Sequence, residues 1–166
     1  GFISQMESVG YGIKQEFLDK NLKFVSIFSN IVPVTSFDNL ITKVLEHDEF
    51  MDSDVVIIDA LSDFLVNRDL SKEQSFKLLR DFKKTTMTKK TLILTVDPDQ
   101  VNEHIHTLLK STSTVYLEMR TEEQFGNKMN LLDVKRFNVA QGTLEKNLSF
   151  KVRPGVGIVV ELASGS

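Results

Sequence analysis

The sequence predicts an α/β protein in which a parallel sheet flanked by helices is followed by antiparallel hairpin strands. Before Thr114, short segments rich in β-branched residues alternate with amphipathic helical segments, as they do in βαβ units. After Thr114, strand-like segments follow one another with no convincing helix between them. Because parallel strands need a long crossover and antiparallel strands need only a turn, this second region is predicted to be antiparallel.

Seven segments are short, bounded by polar turns and rich in residues that favour strands. They span residues 22–28, 54–60, 91–96, 114–118, 129–137, 148–152 and 157–162. The second contains the run from Val55 to Ile58, which is apolar throughout, as strands are when both faces of a parallel sheet are covered. Pro154 and Gly155 separate the last two segments and form a favourable pair for a type II turn.

Three amphipathic helices are predicted between the early strands. The first has Ser36 as its N-cap and apolar residues at helical spacing, namely Phe37, Leu40, Ile41, Val44 and Leu45. The third is expected to begin at Asp97, with Pro98 in the first helical position. Its apolar face comprises Val101, Ile105, Leu108 and Leu109.

The second helix has the clearest start signal. Ser71 and Gln74 have the spacing of a capping box, in which each side chain satisfies a backbone N–H of the first turn. Phe76, Leu79 and Phe82 follow at intervals of three residues. We expect them to form the buried stripe of this helix.

Length and composition are those of one globular domain. The 166 residues are 41% hydrophobic and 26% charged, and a chain of this length buries roughly two thirds of its unfolded surface. Cysteine is absent, which excludes disulfides, thiolate metal sites and thiol catalysis and fits a reducing compartment. No apolar run approaches the ~20 residues needed to cross a bilayer, and no signal-peptide pattern opens the chain. A cytoplasmic location is the default expectation.

The net charge of −3 does not favour nucleic acid as a partner. The nearest approach to a basic patch brackets the polar stretch after the second predicted helix and comprises Lys83, Lys84, Lys89 and Lys90. A solvated helix end explains these lysines. The sequence therefore assigns them no function.

Asp59 is the most informative candidate for a binding residue. It follows four apolar strand residues, and a carboxylate at the C-terminal end of a parallel strand lies at the crevice where α/β proteins bind ligands. In phosphate-loop ATPases such a carboxylate holds Mg²⁺ through water. The alternative is that Asp59 only caps the following loop. Thr95 ends the next strand, where it is either a sensor of a γ-phosphate or attacking water, or an ordinary strand former.

Lys135 and Arg136, on a late strand, are the basic candidates. Because neighbouring side chains of a strand point to opposite faces, at most one of the two is expected to face a given ligand. They are either a solvated pair or a source of positive charge for phosphates bound to a neighbouring subunit.

Other catalytic arrangements are poor candidates. His104 and His106 are two residues apart on a predicted helix, hence on different faces, and His47 is isolated, so no metal site is predicted from histidines. No G-x-S-x-G segment is present. The pair Glu122-Glu123 is expected in a loop, as solvated charge.

A phosphate-binding loop is also absent from the sequence. The pattern G-x-x-x-x-G-K-[ST] does not occur, although its backbone cradle and lysine bind the β- and γ-phosphates in phosphate-loop proteins. Gly10 and Gly12 of VGYGIK do not replace it, because the spacing differs and no buried strand precedes them. We therefore expect this chain alone to bind ATP poorly and to be inactive as an ATPase.

The order of the segments resembles the KaiC-like branch of the RecA ATPase superfamily. The opening FISQMESVGYGIKQEFLDKNLKFVSIF resembles its helix, M-x-x-x-G turn and short helix. VVIIDALSDFL is similar to its Walker B strand, and TLILTVDP is similar to the next strand. The ending NLLDVKRFNVAQGTLEKNLSFKVRPGVGIVVELA resembles its final hairpin, where a strand with a Lys/Arg pair precedes F-x-V-x-P-G-x-G. Within the branch, this last pattern indicates FlaH-type proteins of archaeal flagella.

The resemblance covers essentially the whole chain and implies one RecA-like core over residues 1–166 that lacks its first strands. By position, Asp59 would be the Walker B carboxylate that holds Mg²⁺ through water, and Thr95 the polar residue that ends the adjacent strand. Lys135 or Arg136 would be the basic group near a subunit interface. The Walker A loop and the acidic strand end that follows it are expected before Gly1.

The resemblance also implies a function, which is that of an ATP-binding regulatory subunit of the archaeal flagellar (archaellum) motor with little or no turnover. The implied cofactors are ATP and Mg²⁺, bound weakly or not at all by this chain. The implied partners are the motor ATPase and the membrane-anchored motor proteins, with a homo-oligomeric ring as a further assembly. Neither nucleic acid nor direct membrane insertion is implied, and the expected location is cytoplasmic, at the periphery of a membrane motor complex.

Three alternatives remain open on the sequence. They are a KaiC-like signalling ATPase with turnover, a recombinase of the RecA or RadA type, and a nucleotide-free interaction module on a RecA-like fold. The acidic balance and the lack of aromatic-plus-basic clusters weigh against the recombinase.

Overall fold

The computed structural model describes residues 1–23, 45, 52–65, 70–124, 126–138 and 147–161. The chain divides into two compact units. We call Val25–Thr112 the parallel unit, and Gly1–Phe24 together with Ser113–Ser166 the antiparallel unit. The single RecA-like core expected over residues 1–166 stays a prediction.

The described helices and strands alternate first and then give way to consecutive strands. In chain order they are α1 (Phe2–Ser8), α2 (Lys14–Leu18), β1 (Val55–Ile58), α3 (Leu61–Leu65), α4 (Lys72–Met87), β2 (Thr91–Leu94), α5 (Glu103–Thr112), β3 (Val115–Gln124), β4 (Asn127–Phe137), β5 (Asn147–Arg153) and β6 (Gly157–Glu161). A 3-10 turn, Pro98–Gln100, precedes α5. Within the described parts of the chain, every helix is too short or too polar to cross a membrane.

In the parallel unit, β1 and β2 are adjacent and parallel, in a register that pairs Ile58 with Leu94. This confirms the prediction that the strands before Asp59 and Thr95 are neighbours. One face of the pair is covered, and Val56 and Ile58 are buried on it. Val55 and Ile57 are 51% and 58% exposed, so the expectation that β1 is covered on both faces is wrong for this chain. A run of four apolar residues is too short to distinguish coverage on one face from coverage on two.

The apolar core of the parallel unit lies between this pair of strands and the helices. Its buried members are Leu45, Val56, Ile58, Leu61, Phe64, Leu65, Leu78, Phe82, Ile105 and Leu109. Leu45 is helical, as predicted, and the rest of the predicted helix over 36–45 lies outside the described residues. The predicted strand over 22–28 also lies outside them, except for Leu22 and Lys23, which are not in a strand.

Helix α4 begins as its sequence predicts and turns a different face to the core. Gln74 N donates to Ser71 Oγ at 3.2 Å, and Ser71 N donates to Gln74 Oε1 at 2.9 Å, which confirms the capping box. Leu78 and Phe82 are buried, but Phe76 is 63% exposed. Its assignment to the buried stripe is therefore wrong: Phe76 lies about 200° around the helix from Leu78, because each residue turns the helix by about 100°.

The third predicted helix is α5, which begins at Glu103 and is preceded by a separate 3-10 turn. Asp97 caps the 3-10 turn by accepting from Asp99 N at 3.1 Å, with Pro98 in the first position. Val101 is then extended, with φ −116° and ψ 148°. Asn102 Oδ1 accepts from His104 N at 2.8 Å where α5 begins. The start predicted at Asp97 is thus wrong for the α-helix and correct for the shorter turn before it.

The antiparallel unit contains a four-stranded sheet in the order β3-β4-β5-β6, with every neighbouring pair antiparallel. This confirms the predicted hairpins. Strand β3 continues to Gln124, so Glu122 and Glu123 lie in a strand and not in the expected loop, because pairing with β4 extends the sheet beyond the residues with the strongest strand preference. Between β5 and β6, Val156 N donates to Arg153 O at 3.1 Å, and Gly155 has φ +72°, as a type II turn requires.

The N-terminal segment is attached to this turn by a close contact that we call the glycine clasp, residues 8–11 against residues 155–158. Gly155 N donates to Ser8 O at 3.1 Å, and Ile158 N donates to Tyr11 Oη at 3.0 Å. Gly10 has φ +97°, and a Cβ at this position would lie 2.7 Å from the carbonyl carbon of Gly155. Only glycine fits at position 10 without displacing the turn.

Candidate functional site

Asp59 and Thr95 meet where the two parallel strands end. Asp59 directly follows β1 and is exposed, and Thr95 directly follows β2 and is half-buried. The Thr95 hydroxyl Oγ1 donates a hydrogen bond to Asp59 Oδ1. The peptide bond after Asp59 is cis. The carboxyl ends of parallel strands are where α/β proteins bind ligands, so this pair lies at the edge of the sheet that the sequence predicted.

Backbone hydrogen bonds hold both residues in place. Thr95 N donates to Ile58 O at 3.1 Å, and Leu61 N donates to Thr95 O at 2.8 Å. Leu61, in the first turn of α3, is fully buried. The segment that carries Asp59 is therefore fixed on one side by β2 and on the other by the core.

A second link joins the same two loops. Asp97 N donates to Ser62 Oγ at 3.2 Å, and Ser62 is only 1% exposed. Ser62 was not singled out from the sequence. A serine in DALSDFL carries no signal of burial, because only the packing of α3 against the core places its hydroxyl next to the loop after β2.

The arrangement has the features that a water-mediated Mg²⁺ contact needs. One oxygen of Asp59 is oriented by Thr95, and its second oxygen, Oδ2, has no hydrogen-bond partner among the described residues. Mg²⁺ keeps most of its waters and is usually held by one or two carboxylates together with substrate phosphates. No cluster of three or more His, Asp or Glu side chains suited to a metal occurs in the described part of the chain. The residues present fit a nucleotide-bound Mg²⁺ better than a protein-only metal site.

Lys135 and Arg136 lie in the antiparallel unit, on one face of its sheet. Tyr116 pairs with Arg136 while Leu117 pairs with Val134, so Lys135 is the extra residue of a β-bulge. Directly paired residues share a face, which places Arg136 on the face of Tyr116. Lys135 Nζ reaches Glu118 at 3.4 Å on the same face. The expectation that Lys135 and Arg136 point to opposite faces of the sheet is wrong, because the bulge breaks the alternation of side chains along β4.

The charges on this face form a network around Asp133. Asp133 is 4% exposed, and its Oδ2 accepts from Arg120 Nε at 3.0 Å and from Lys135 Nζ at 3.1 Å. Hydrogen bonds from these two cations hold the pKa of Asp133 below its usual value. The hydrogen bond to Asp133, reinforced by Glu118, raises the pKa of Lys135. Lys135 therefore forms ion pairs with Glu118 and Asp133 in this structure.

Tyr116 belongs to the same face. Burial and the neighbouring Glu118 raise the pKa of its phenol. Sequence reasoning missed Arg120, Asp133 and Tyr116, because their roles depend on the register between β3 and β4. The alternation of charged residues along 116–122 was the only available signal, and it is common on solvated strands.

Comparisons with known proteins found relatives over nearly the whole length of the chain. The chain is 32% identical over 163 residues to the archaeal flagellar ATP-binding protein FlaH of Methanocaldococcus jannaschii, covering 98% of this chain and 70% of the relative. The FlaH of Methanococcus voltae is 30% identical over the same length and coverage. The chain belongs to the FlaH family. No protein-family model matches it.

Solved structures similar to this chain identify its fold. The crystal structure of FlaH from M. jannaschii superposes with a TM-score of 0.83 over 98% of this chain and 71% of that one. A KaiC-like protein from Pyrococcus horikoshii, 16% identical, superposes with a TM-score of 0.67 over 97% of this chain and 71% of its own. The predicted RecA-like α/β fold class is thereby confirmed. The similarity to the KaiC-like protein is evidence for the fold alone.

Proposed function

We propose that this FlaH-family protein binds Mg-ATP at the edge formed by Asp59 and Thr95 and acts as a regulatory subunit of the archaellum machinery with little or no turnover. The hydrogen bond from Thr95 Oγ1 to Asp59 Oδ1, at the carboxyl ends of two adjacent parallel strands, carries the proposal. Both relatives described above are named as ATP-binding proteins of archaeal flagella.

The proposed role of Asp59 follows from which of its oxygens are occupied. Thr95 binds Oδ1, so Oδ2 is the atom proposed to accept from a water of the Mg²⁺ shell. Bound Mg²⁺ would neutralise part of the phosphate charge. Thr95 orients the carboxylate through its hydroxyl and is proposed to contact the same ligand. Because these 166 residues contain no phosphate-binding loop, we expect the affinity of this chain for Mg-ATP to be weak.

Lys135 and Arg136 are proposed to deliver positive charge to phosphates bound by a neighbouring copy in a ring. The bulge places both on one face of the sheet, and arginine and lysine at a subunit edge are suited to phosphate oxygens. Lys135 also binds the carboxylates of Glu118 and Asp133, and the phosphate contact is proposed for Lys135 or Arg136. The proposed partners are the archaellum motor ATPase and membrane-anchored motor proteins, in the cytoplasm beside the motor complex.

The experiment compares melting temperatures with and without millimolar Mg-ATP. We expect Mg-ATP to raise the melting temperature of the wild type, because a ligand that binds only the folded state stabilises it. Asp59→Ala should lose most of this increase. Asp63→Ala removes another exposed carboxylate, from the helix α3 that follows, and should keep the increase.

The alternative role of Asp59, a loop cap, predicts a different pattern. A lost cap costs about 1 kcal/mol with or without nucleotide. An Asp59→Ala protein that melts earlier but gains as much from Mg-ATP as the wild type would show that Asp59 is structural. A wild type that gains nothing from Mg-ATP would favour the nucleotide-free interaction module.

A further inference from the structure

The outer face of α4 has an unusual composition. Seven of its residues lie within about 60° of Arg80 around the helix axis, opposite the buried Ser75, Leu78 and Phe82. We call them the basic face: Glu73, Phe76, Lys77, Arg80, Lys83, Lys84 and Met87. Four are cations and one is an anion, in a protein whose net charge is −3. The helix therefore concentrates positive charge on the side that the fold leaves open.

Two large apolar side chains are exposed among these cations. Phe76 is 63% exposed and Met87 is 77% exposed. They are eleven residues apart, which corresponds to about 16 Å along a helix. Solvent-facing positions of a surface helix are usually polar, and the core is already filled on the opposite face by Leu78 and Phe82. Neither side chain belongs to the buried core of this unit.

A shallow depression lies beside each of the two apolar side chains. One is lined by Glu73, Phe76, Lys77 and Arg80. The other is lined by Arg80, Asp81, Lys83, Lys84 and Met87. Each depression thus combines one apolar side chain with two or three cations and one carboxylate, and Arg80 is common to both. This pattern of an apolar centre and a charged rim is typical of small protein-binding surfaces.

We propose that the basic face of α4 docks an acidic segment of another protein, whose apolar side chains occupy the depressions beside Phe76 and Met87. The acidic residues of the partner would pair with Arg80, Lys83 and Lys84 and would speed association through long-range attraction. The proposal does not rest on the proposed nucleotide site, because no residue of the basic face belongs to the edge formed by Asp59 and Thr95. The interaction is expected to be weak and salt-dependent, since the cations are exposed.

An anionic membrane is the other surface that cations and apolar side chains can bind, and the residues favour it less. Membrane-surface helices carry a broad apolar face, whereas this face carries only Phe76 and Met87, at opposite ends. Concave sites beside the apolar groups fit protein side chains better than lipid.

The test uses the 166-residue protein, without nucleotide, and a fluorescent acidic helical peptide with two leucines spaced as Phe76 and Met87 are. We expect saturable binding that weakens with salt. Arg80→Glu/Lys83→Glu should lower the affinity about tenfold, and Phe76→Gln/Met87→Gln should lower it several-fold. The matched control, Lys14→Glu/Lys128→Glu, has the same charge as the first variant and should change the affinity less than about twofold. Circular dichroism confirms that each variant is folded.

Three outcomes would overturn the proposal. The first is the absence of saturable peptide binding by the wild type. The second is an equal loss in the charge-matched control, which would reveal attraction to the protein as a whole. The third is tighter binding to vesicles of phosphatidylglycerol and phosphatidylcholine than to the peptide, with the vesicle binding lost in Arg80→Glu/Lys83→Glu, which would assign the face to a membrane.

Discussion

The two units of this protein are stabilised by different interactions. In the parallel unit, ten apolar side chains are buried in one cluster. In the described part of the antiparallel unit, no apolar side chain is buried to that degree, and the buried side chain is the carboxylate of Asp133. The antiparallel unit relies on its strand ladders, the ion pairs around Asp133 and the glycine clasp. Side-chain volume should therefore control stability in the first unit, and backbone geometry and charge in the second.

The aromatic residues allow the two units to be monitored separately. The protein has no tryptophan and two tyrosines, Tyr11 and Tyr116, which both belong to the antiparallel unit. Tyrosine fluorescence therefore reports that unit. The longer helices α4 and α5 belong to the parallel unit, so far-ultraviolet circular dichroism reports mainly on it.

The largest effect is expected in the core of the parallel unit. Phe82→Ala should lower the free energy of unfolding by about 3–5 kcal/mol, because it removes a buried ring and leaves a cavity. Phe76→Ala, on the exposed face of the same helix, should change it by less than about 0.5 kcal/mol. Urea titrations followed by circular dichroism measure both. Equal costs would contradict the assignment of Phe82 to the core and of Phe76 to the surface.

The next effect is expected at the glycine clasp. Gly10→Ala should destabilise the antiparallel unit by about 2 kcal/mol, because alanine disfavours the φ of +97° and its Cβ would overlap the backbone of Gly155. Gly12→Ala is the control, since a Cβ there meets nothing within 4 Å. Tyrosine fluorescence during urea unfolding is the measurement. Indistinguishable midpoints for the two variants would show that the clasp does not stabilise this unit.

A smaller, pH-dependent effect is expected from Asp133. Because its pKa is lowered in the folded state, Asp133 contributes stability above its unfolded pKa of about 3.9, and this contribution is lost as the pH falls through the lower folded value. Asp133→Asn should therefore be less stable than the wild type from pH 5 to 8, and the difference should shrink below pH 4. A difference that is constant down to pH 2 would exclude the ion pairs as its cause.

The smallest effect on stability is expected at Thr95. Thr95→Val removes the hydroxyl that donates to the exposed carboxylate of Asp59 and should change the free energy of unfolding by less than about 0.5 kcal/mol. It should nevertheless reduce the Mg-ATP-dependent rise in melting temperature, and Thr95→Ser should restore it. A variant that loses stability but keeps the full nucleotide response would place Thr95 among the structural residues.

The sequence predicted those features that are encoded by neighbouring residues. The capping box of Ser71 and Gln74 and the turn at Pro154 and Gly155 were predicted because each depends on a few consecutive residues. The adjacency of β1 and β2 also followed, since consecutive strands of a βαβ unit are usually neighbours in the sheet. Asp59 and Thr95 were brought together by this topology alone.

Features that depend on packing or on cross-strand register could not be predicted. Phe76 and Phe82 are the same residue type, and both fit the periodic apolar pattern of a helix. Only packing against the core distinguishes the buried ring from the exposed one. The bulge at Lys135 is a property of two strands, so a single strand pattern gave the wrong face. Likewise, Tyr11 reaches Ile158 across 147 positions of sequence, and no local signal in VGYG indicates that contact.

The most direct test of the central claim, that the edge with Asp59 holds the metal of a bound nucleotide, is nuclear magnetic resonance with Mn²⁺-ATP. Paramagnetic Mn²⁺ broadens the signals of nearby amides. We predict selective broadening at Ile58, Ala60 and Thr95, largely lost in Asp59→Ala and retained in Asp63→Ala. Broadening that is unchanged in Asp59→Ala, or strongest in the antiparallel unit, would contradict the account.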